Sequence, residues 1–126
     1  IAKVLKVKSN MDSGMFLGIQ KGAIAALNLG DSWFSDIEST YQSRRKLVWK
    51  LADKLNLTYD TKAAGLFVWC QVPEGKTADQ IVDELLYEKN IFITPGKIFG
   101  SAGESYVRFS LCIPEFKILE AINRIK

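Results

Sequence analysis

Apolar residues recur at helical spacing from the first position onward: Ile1, Val4 and Leu5 interleave with lysines as far as Lys8 and predict a helix. Ser9-Asn-Met-Asp-Ser-Gly14, rich in turn-forming residues, should break it. A second helix is predicted from about Met15 to Leu29, with Phe16, Ile19, Ala23, Ala26 and Leu27 on its apolar side and Asn28 and Gly30 ending it. Asp31 and Ser32 can then cap a long helix reaching about Leu55. Its inward stripe is Ile37, Tyr41, Val48, Leu51 and Leu55, and Lys46, Lys50 and Lys54 mark its solvated edge.

From Leu57 the period changes. Leu66-Phe-Val-Trp-Cys-Gln-Val72 is β-branched and aromatic between Gly65 and Pro73, so it predicts a strand. Thr77 with Gln80 forms a capping box for a helix carrying Ile81, Val82, Leu85 and Leu86. Ile91-Phe-Ile-Thr94 reads as a short strand stopped by Pro95 and Gly96. Ser105 to Cys112 alternates cleanly, with Val107, Phe109 and Leu111 facing one way and Tyr106, Arg108 and Ser110 the other. Pro114 suits the first turn of a last helix whose apolar face is Leu119, Ile122 and Ile125. The expected class is α+β: a small, mostly antiparallel sheet covered by helices, with further helices before it.

A chain of 126 residues fits one domain and can bury roughly 65–70% of its unfolded surface. A formal net charge of +3, from 17 basic and 14 acidic residues spread along the chain, gives no concentrated basic stripe, so nucleic acid is not expected as a partner. No apolar run has the length of a membrane span, and no signal-peptide pattern opens the sequence. There is no histidine, which removes Ser-His-Asp triads, Cys-His pairs and histidine zinc sites from consideration. Cys70 and Cys112 lack Cys-x-x-Cys spacing and read as buried thiols of a reduced, intracellular protein. The uncapped helical start reads as the interior of a longer chain.

Arg108 is the side chain that stands out. On a strand's polar face a cation is costly unless paired or solvated, and a guanidinium offers a planar fork matched to a carboxylate. The alternative is a surface arginine, or one paired with an acid of its own domain. Pro95-Gly-Lys-Ile-Phe-Gly100, followed by Ala102 and Gly103, reads as a structured turn and lacks the spacing of a phosphate loop. Arg44, Arg45 and Lys46 read as a solvated charge run, and no carboxylates pair in a way that suggests acid–base chemistry.

Taken together and in order, Gly65-Leu-Phe-Val-Trp69, Pro95-Gly-Lys-Ile-Phe-Gly100 and Tyr106-Val-Arg-Phe-Ser-Leu111 resemble the C-terminal small domain of class I, fold-type I aminotransferases. Lys6-Val-Lys-Ser-Asn-Met-Asp-Ser-Gly14, with Phe16 and Gln20, is similar to the segment that follows the family's cofactor lysine, so the resemblance covers essentially the whole chain. In kind it is nearest the LL-diaminopimelate and aspartate aminotransferase-like enzymes.

The resemblance implies that residues 1–30 are the helical tail of a large domain and 31–126 the small domain. It implies that Arg108 binds the substrate α-carboxylate, that Gly65 passes close to substrate, and that Phe99 and Gly100 shape the entrance. Ser9 and Asn10 would approach the site of a partner subunit. It also implies pyridoxal 5'-phosphate as cofactor, an amino acid and a 2-oxo acid as substrates, a homodimer, and a cytoplasmic location. The cofactor supplies the electron sink and the protein the orientation. No lysine here stands in the family's Ser-x-Ser-Lys context, so the chain alone is expected to be inactive, with no catalytic residue and no metal site of its own. A non-catalytic amino-acid-binding regulatory module is the alternative, as is a protein–protein interaction domain that keeps Arg108 paired internally.

Overall fold

A computed structural model of the chain describes residues 1–11 and 14–125. It divides into two compact units, Ile1–Asp36 and Ile37–Lys126, with the boundary inside one long helix.

The first unit holds α1 (Ala2–Met11), α2 (Leu17–Leu27) and the start of α3 (Asp31–Lys54). The turn expected from Ser9 does not begin there. Ser9 and Asn10 stay helical, because Ser9 Oγ and Asn10 Nδ2 donate back to the Lys6 carbonyl at 3.2 and 2.6 Å and so occupy the polar groups that favour a turn. Asp12 and Ser13 lie outside the described residues. Neither α1 nor α2 buries a residue, and the predicted apolar side of α2 is open at Phe16, Ile19 and Leu27.

The second unit is an α+β layer, as the sequence pattern predicts. Its four strands are β1 (Thr58–Tyr59), β2 (Phe67–Gln71), β3 (Thr94–Pro95) and β4 (Tyr106–Ser110), all antiparallel, in the order β1-β2-β4-β3. The inward residues Val68, Cys70, Val107, Phe109 and Leu111 form one buried cluster with Val48, Leu51 and Ala52 of α3. The cluster also takes in Ile81, Val82 and Leu85 of α4 (Ala78–Lys89) and Ile118 of α5 (Glu115–Arg124). Fully burying a side chain of this kind contributes about 1.5–3 kcal/mol, so this layer carries the unit's stability. The capping box forms as expected: Gln80 N donates to Thr77 Oγ1 and Thr77 N to Gln80 Oε1.

Several expectations are corrected. β1, only two residues long, carries no strand pattern in the sequence. The strand expected at Ile91–Thr94 is confined to Thr94 and Pro95, which pair with Arg108 and Val107; Pro95 is admitted because β3 is the edge of the sheet, where a missing N–H costs no ladder bond. Pro114 is the N-cap of α5 and not part of its first turn. On α5 the buried residue is Ile118, while Leu119 is exposed, since Ile118, Ile122 and Ile125 follow the helical period more closely. Cys70 is buried, but Cys112 is exposed, one residue beyond the inward Leu111. Arg44 and Arg45 are not a merely solvated run: Arg44 Nη1 donates to the Leu111 carbonyl at 3.0 Å, and Arg45 grips the Ala63 and Gly65 carbonyls at 2.6 Å each. Lys54 likewise leaves its predicted solvated edge to donate to the carbonyls of Ile122 and Ile125, satisfying the end of α5.

Candidate functional site

Strand alternation puts Phe67, Trp69, Tyr106, Arg108 and Ser110 on the sheet face away from the buried cluster. Register sets Trp69 opposite Arg108 on one side and Thr94 opposite it on the other. Arg108 is half-buried, yet no carboxylate pairs with it among the described residues. Its guanidinium carbon lies 4.0 Å from the centre of the Phe67 ring and 4.3 Å from that of Phe99. Its Nε is buried with no hydrogen-bond partner. A cation in this setting is held by ring quadrupoles and still lacks an anion. Arg108 also lines a cavity of about 290 Å³ with Thr94, Ser110, Ile113 and Lys117.

Phe99 reaches Arg108 because the segment after β3 folds into two short 3-10 turns, Gly96–Phe99 and Ser101–Gly103. Gly96 and Gly103 pack backbone to backbone. A methyl on Gly96 would lie 2.7 Å from the Tyr106 carbonyl oxygen and 3.1 Å from Trp69 Cζ3, and closer still to the Gly103 carbonyl. Gly100, at φ +122° and ψ 170°, takes a conformation open essentially to glycine alone, and its N–H donates to the Lys97 carbonyl at 3.1 Å. Lys97 is tied to Asp79 on α4 at 2.6 Å, and that hydrogen bond holds its ammonium above the usual lysine range. The Trp69 ring meets Phe99 edge-on at 5.4 Å and Tyr106 at 6.4 Å, supporting the row from behind.

Of the residues singled out from sequence, Arg108 and Phe99 are thus brought into contact, and Gly100 shapes the turn that carries Phe99. Gly65 lies just before β2 at φ +93°, with open space where a side chain would stand and its carbonyl held by Arg45 Nη2. It borders a separate cavity of about 460 Å³ lined also by Glu38, Arg45, Lys46 and Lys62. Ser9 and Asn10 belong to the first unit. The sequence pattern does not mark Phe67 and Trp69 as neighbours of Arg108. Phe67-Val-Trp-Cys70 is apolar throughout, so β2 reads as buried on both faces; the signal available was the alternation of the facing strand, which assigns Phe67 and Trp69 to Arg108's side.

A family model described as aminotransferase class I and II matches residues 2–125. An LL-diaminopimelate aminotransferase of Oleidesulfovibrio alaskensis is 42% identical over 125 residues, covering 99% of this chain and 32% of that protein. One from Aquifex aeolicus is 39% identical over 126 residues, covering 100% of this chain and 33% of that protein. Among solved structures, an aminotransferase from Staphylococcus aureus superposes with a TM-score of 0.75 at 33% identity, over 94% of this chain and 32% of its own. A probable N-succinyldiaminopimelate aminotransferase from Thermus thermophilus does so with a TM-score of 0.78 at 26% identity, over 98% and 33%. The chain therefore spans about a third of the length of the curated relatives it matches.

Proposed function

Because this chain belongs to the aminotransferase class I and II family, we propose that it is part of an LL-diaminopimelate-type aminotransferase, moving an amino group between an amino acid and a 2-oxo acid, and that its own contribution is to hold the substrate α-carboxylate on Arg108. The supporting observation is the state of that arginine. It is a half-buried cation against two aromatic rings, with no acid of its own chain beside it among the described residues. A planar carboxylate is the anion its fork matches.

Pyridoxal phosphate is implied by the family, and the lysines held in pairs or on carbonyls here do not fit the role of its anchor. A cofactor lysine needs an enclosed, readily uncharged amine. Lys76, Lys97 and Lys117 are half exposed and paired with Glu84, Asp79 and Glu120, and Lys54 is spent on helix-end carbonyls. Lys97 is shifted in the opposite direction from the one required. The cofactor and its proton chemistry belong to the remainder of the enzyme. In this reading residues 1–30 are the tail of the large domain and 31–126 the small domain. The open apolar residues of α1 and α2, among them Val4, Leu5, Phe16 and Ile19, are surface that the rest of a cytoplasmic homodimer covers. Ser9 and Asn10 approach the partner subunit's site, and Gly65 and Gly100 border the substrate. No helix among the described residues is long and apolar enough to cross a membrane.

The test is steady-state kinetics of the full-length enzyme with Arg108→Lys and Arg108→Ala. Charge-assisted hydrogen bonds contribute about 1.5–3 kcal/mol each, and about 1.4 kcal/mol is tenfold in rate. Losing the fork should lower kcat/KM by roughly two orders of magnitude in the lysine variant and more in the alanine variant. The melting temperature should barely change. Near-normal kcat/KM with a large drop in melting temperature would make Arg108 a structural residue and overturn the assignment.

A further inference from the structure

The two rings against Arg108 come from unrelated parts of the chain, Phe67 from β2 and Phe99 from the turn after β3. Neither is core: they are 37% and 52% exposed, and both spend their faces on the same guanidinium. We infer that Phe67 and Phe99 are positioning residues for the carboxylate site, fixing the plane of Arg108 so that its N–H edge is presented to the incoming anion. This rests on the carboxylate reading above and adds what sets the geometry of the fork.

An arginine side chain has several free torsions, and binding through a fork requires them all to be fixed at once. Here the fixing is done before substrate arrives. Rings over the guanidinium exclude water from its faces and attract its charge without using any N–H, so hydrogen-bonding capacity is kept for the ligand. The buried, unpartnered Nε shows that the stem is already out of water, which leaves the terminal nitrogens to meet the carboxylate. Apolar surroundings strengthen those charge-assisted bonds, and prior ordering reduces the entropy lost on binding. The turn carrying Phe99 is itself constrained, by the Gly96–Gly103 contact, by the Lys97–Asp79 pair and by the Trp69 edge, so this ring is held as well as placed.

The experiment uses the full-length enzyme with Phe67→Leu, Phe99→Leu and the double variant, which keep bulk and apolarity but remove the ring. Phe67→Tyr and Phe99→Tyr keep the ring and serve as the conservative rescue. Each is assayed for KM and kcat with the amino-acid substrate and for inhibition by succinate, a carboxylate without an amino group. Each Leu variant should raise KM and the succinate inhibition constant about three- to thirtyfold, the range that a cation–π contact represents. The double variant should exceed either, kcat at saturation should stay within about twofold, and the Tyr variants should behave as wild type. Leu variants that bind succinate like wild type, or Tyr variants as impaired as Leu ones, would overturn the inference, the second by showing that a ring face over the guanidinium is not what sets affinity. Arg108→Ala separates the two claims. If it leaves succinate inhibition unchanged, the carboxylate reading itself fails; if it abolishes inhibition while the Leu variants are silent, only the positioning role fails.

Discussion

The two faces of the sheet are built from the same two central strands and are both rich in large apolar side chains, yet they have opposite fates. Val68, Cys70, Val107, Phe109 and Leu111 are at most 4% exposed and enclosed by three helices. Phe67 and Trp69, one position out of phase, remain 37% and 39% exposed, Phe67 against the Arg108 guanidinium and Trp69 against Phe99 and Tyr106. Residue type alone does not separate the faces. What separates them is the partner: helices on one side, and on the other an arginine whose charge needs an anion. One face contributes folding free energy, and under the proposed function the other contributes binding free energy. Substitutions should therefore sort by face, with the inward ones lowering stability and the outward ones lowering affinity.

The largest effect that would break this division is at the inward Phe109. Phe109→Ala should destabilise by about 3–5 kcal/mol through lost burial and the cavity left behind. Phe67→Ala, on the other face, should cost well under half of that. Denaturant midpoints of the two variants decide the matter, and equal losses would mean that the faces are not distinct in energy. Next in size is Gly96→Ala. Its methyl has no room between the Tyr106 carbonyl and the Trp69 ring, so the turn must shift and carry Phe99 off Arg108. KM should rise roughly as in Phe99→Leu, by about three- to thirtyfold, with a drop in melting temperature besides. Unchanged KM would detach the turn from the site.

A smaller effect sharpens the comparison through the thiols. Burial, and then the charge of Asp53, push the Cys70 thiol up to about 12, while Cys112 is exposed. At pH 8 a thiol reagent should label Cys112 promptly and Cys70 only after denaturation, followed by mass spectrometry of the two peptides. Because the folded value is raised above the ordinary 9.0, the stability tied to neutral Cys70 is complete below that value and declines as pH rises toward 12. The smallest effect is at the turn's tether. The Lys97 ammonium is raised by Asp79, so whatever that pair contributes is complete below the ordinary 10.5 and is lost as pH rises through the raised folded value. Asp79→Asn should alter the melting temperature slightly at pH 7 and progressively less as pH rises past 10.5. A difference undiminished there would exclude the ion pair as its source.

The sequence is most informative where one physical cause dominates. β4 alternates strictly, so its inward and outward residues are set by the sequence pattern itself, and Arg108 falls on the outer face. The Thr77–Gln80 box is equally local, because both of its hydrogen bonds lie within one turn. What could not be read depends on chain segments far apart. Phe99 reaches Arg108 only through the packing of two glycines seven residues apart, Gly96 and Gly103. Arg44 and Arg45 look like solvent-facing charges until the carbonyls of Leu111, Ala63 and Gly65 are brought to them. Cys112 looks like a core thiol because it follows a buried strand, and the alternation that exposes it continues just past the strand's end.

The Gly96–Gly103 contact has a genetic corollary. Both positions guard the same gap, since a methyl on Gly103 would strike the Gly96 carbonyl just as a methyl on Gly96 strikes that of Gly103. Neither change compensates for the other, because no side chain at one position makes room for a side chain at the other. Once the turn has been displaced by the first change, the second has little left to spoil. The Gly96→Ala/Gly103→Ala double variant should thus cost far less than the two single losses combined, so that a deep mutational scan would see two intolerant codons behaving as one genetic locus.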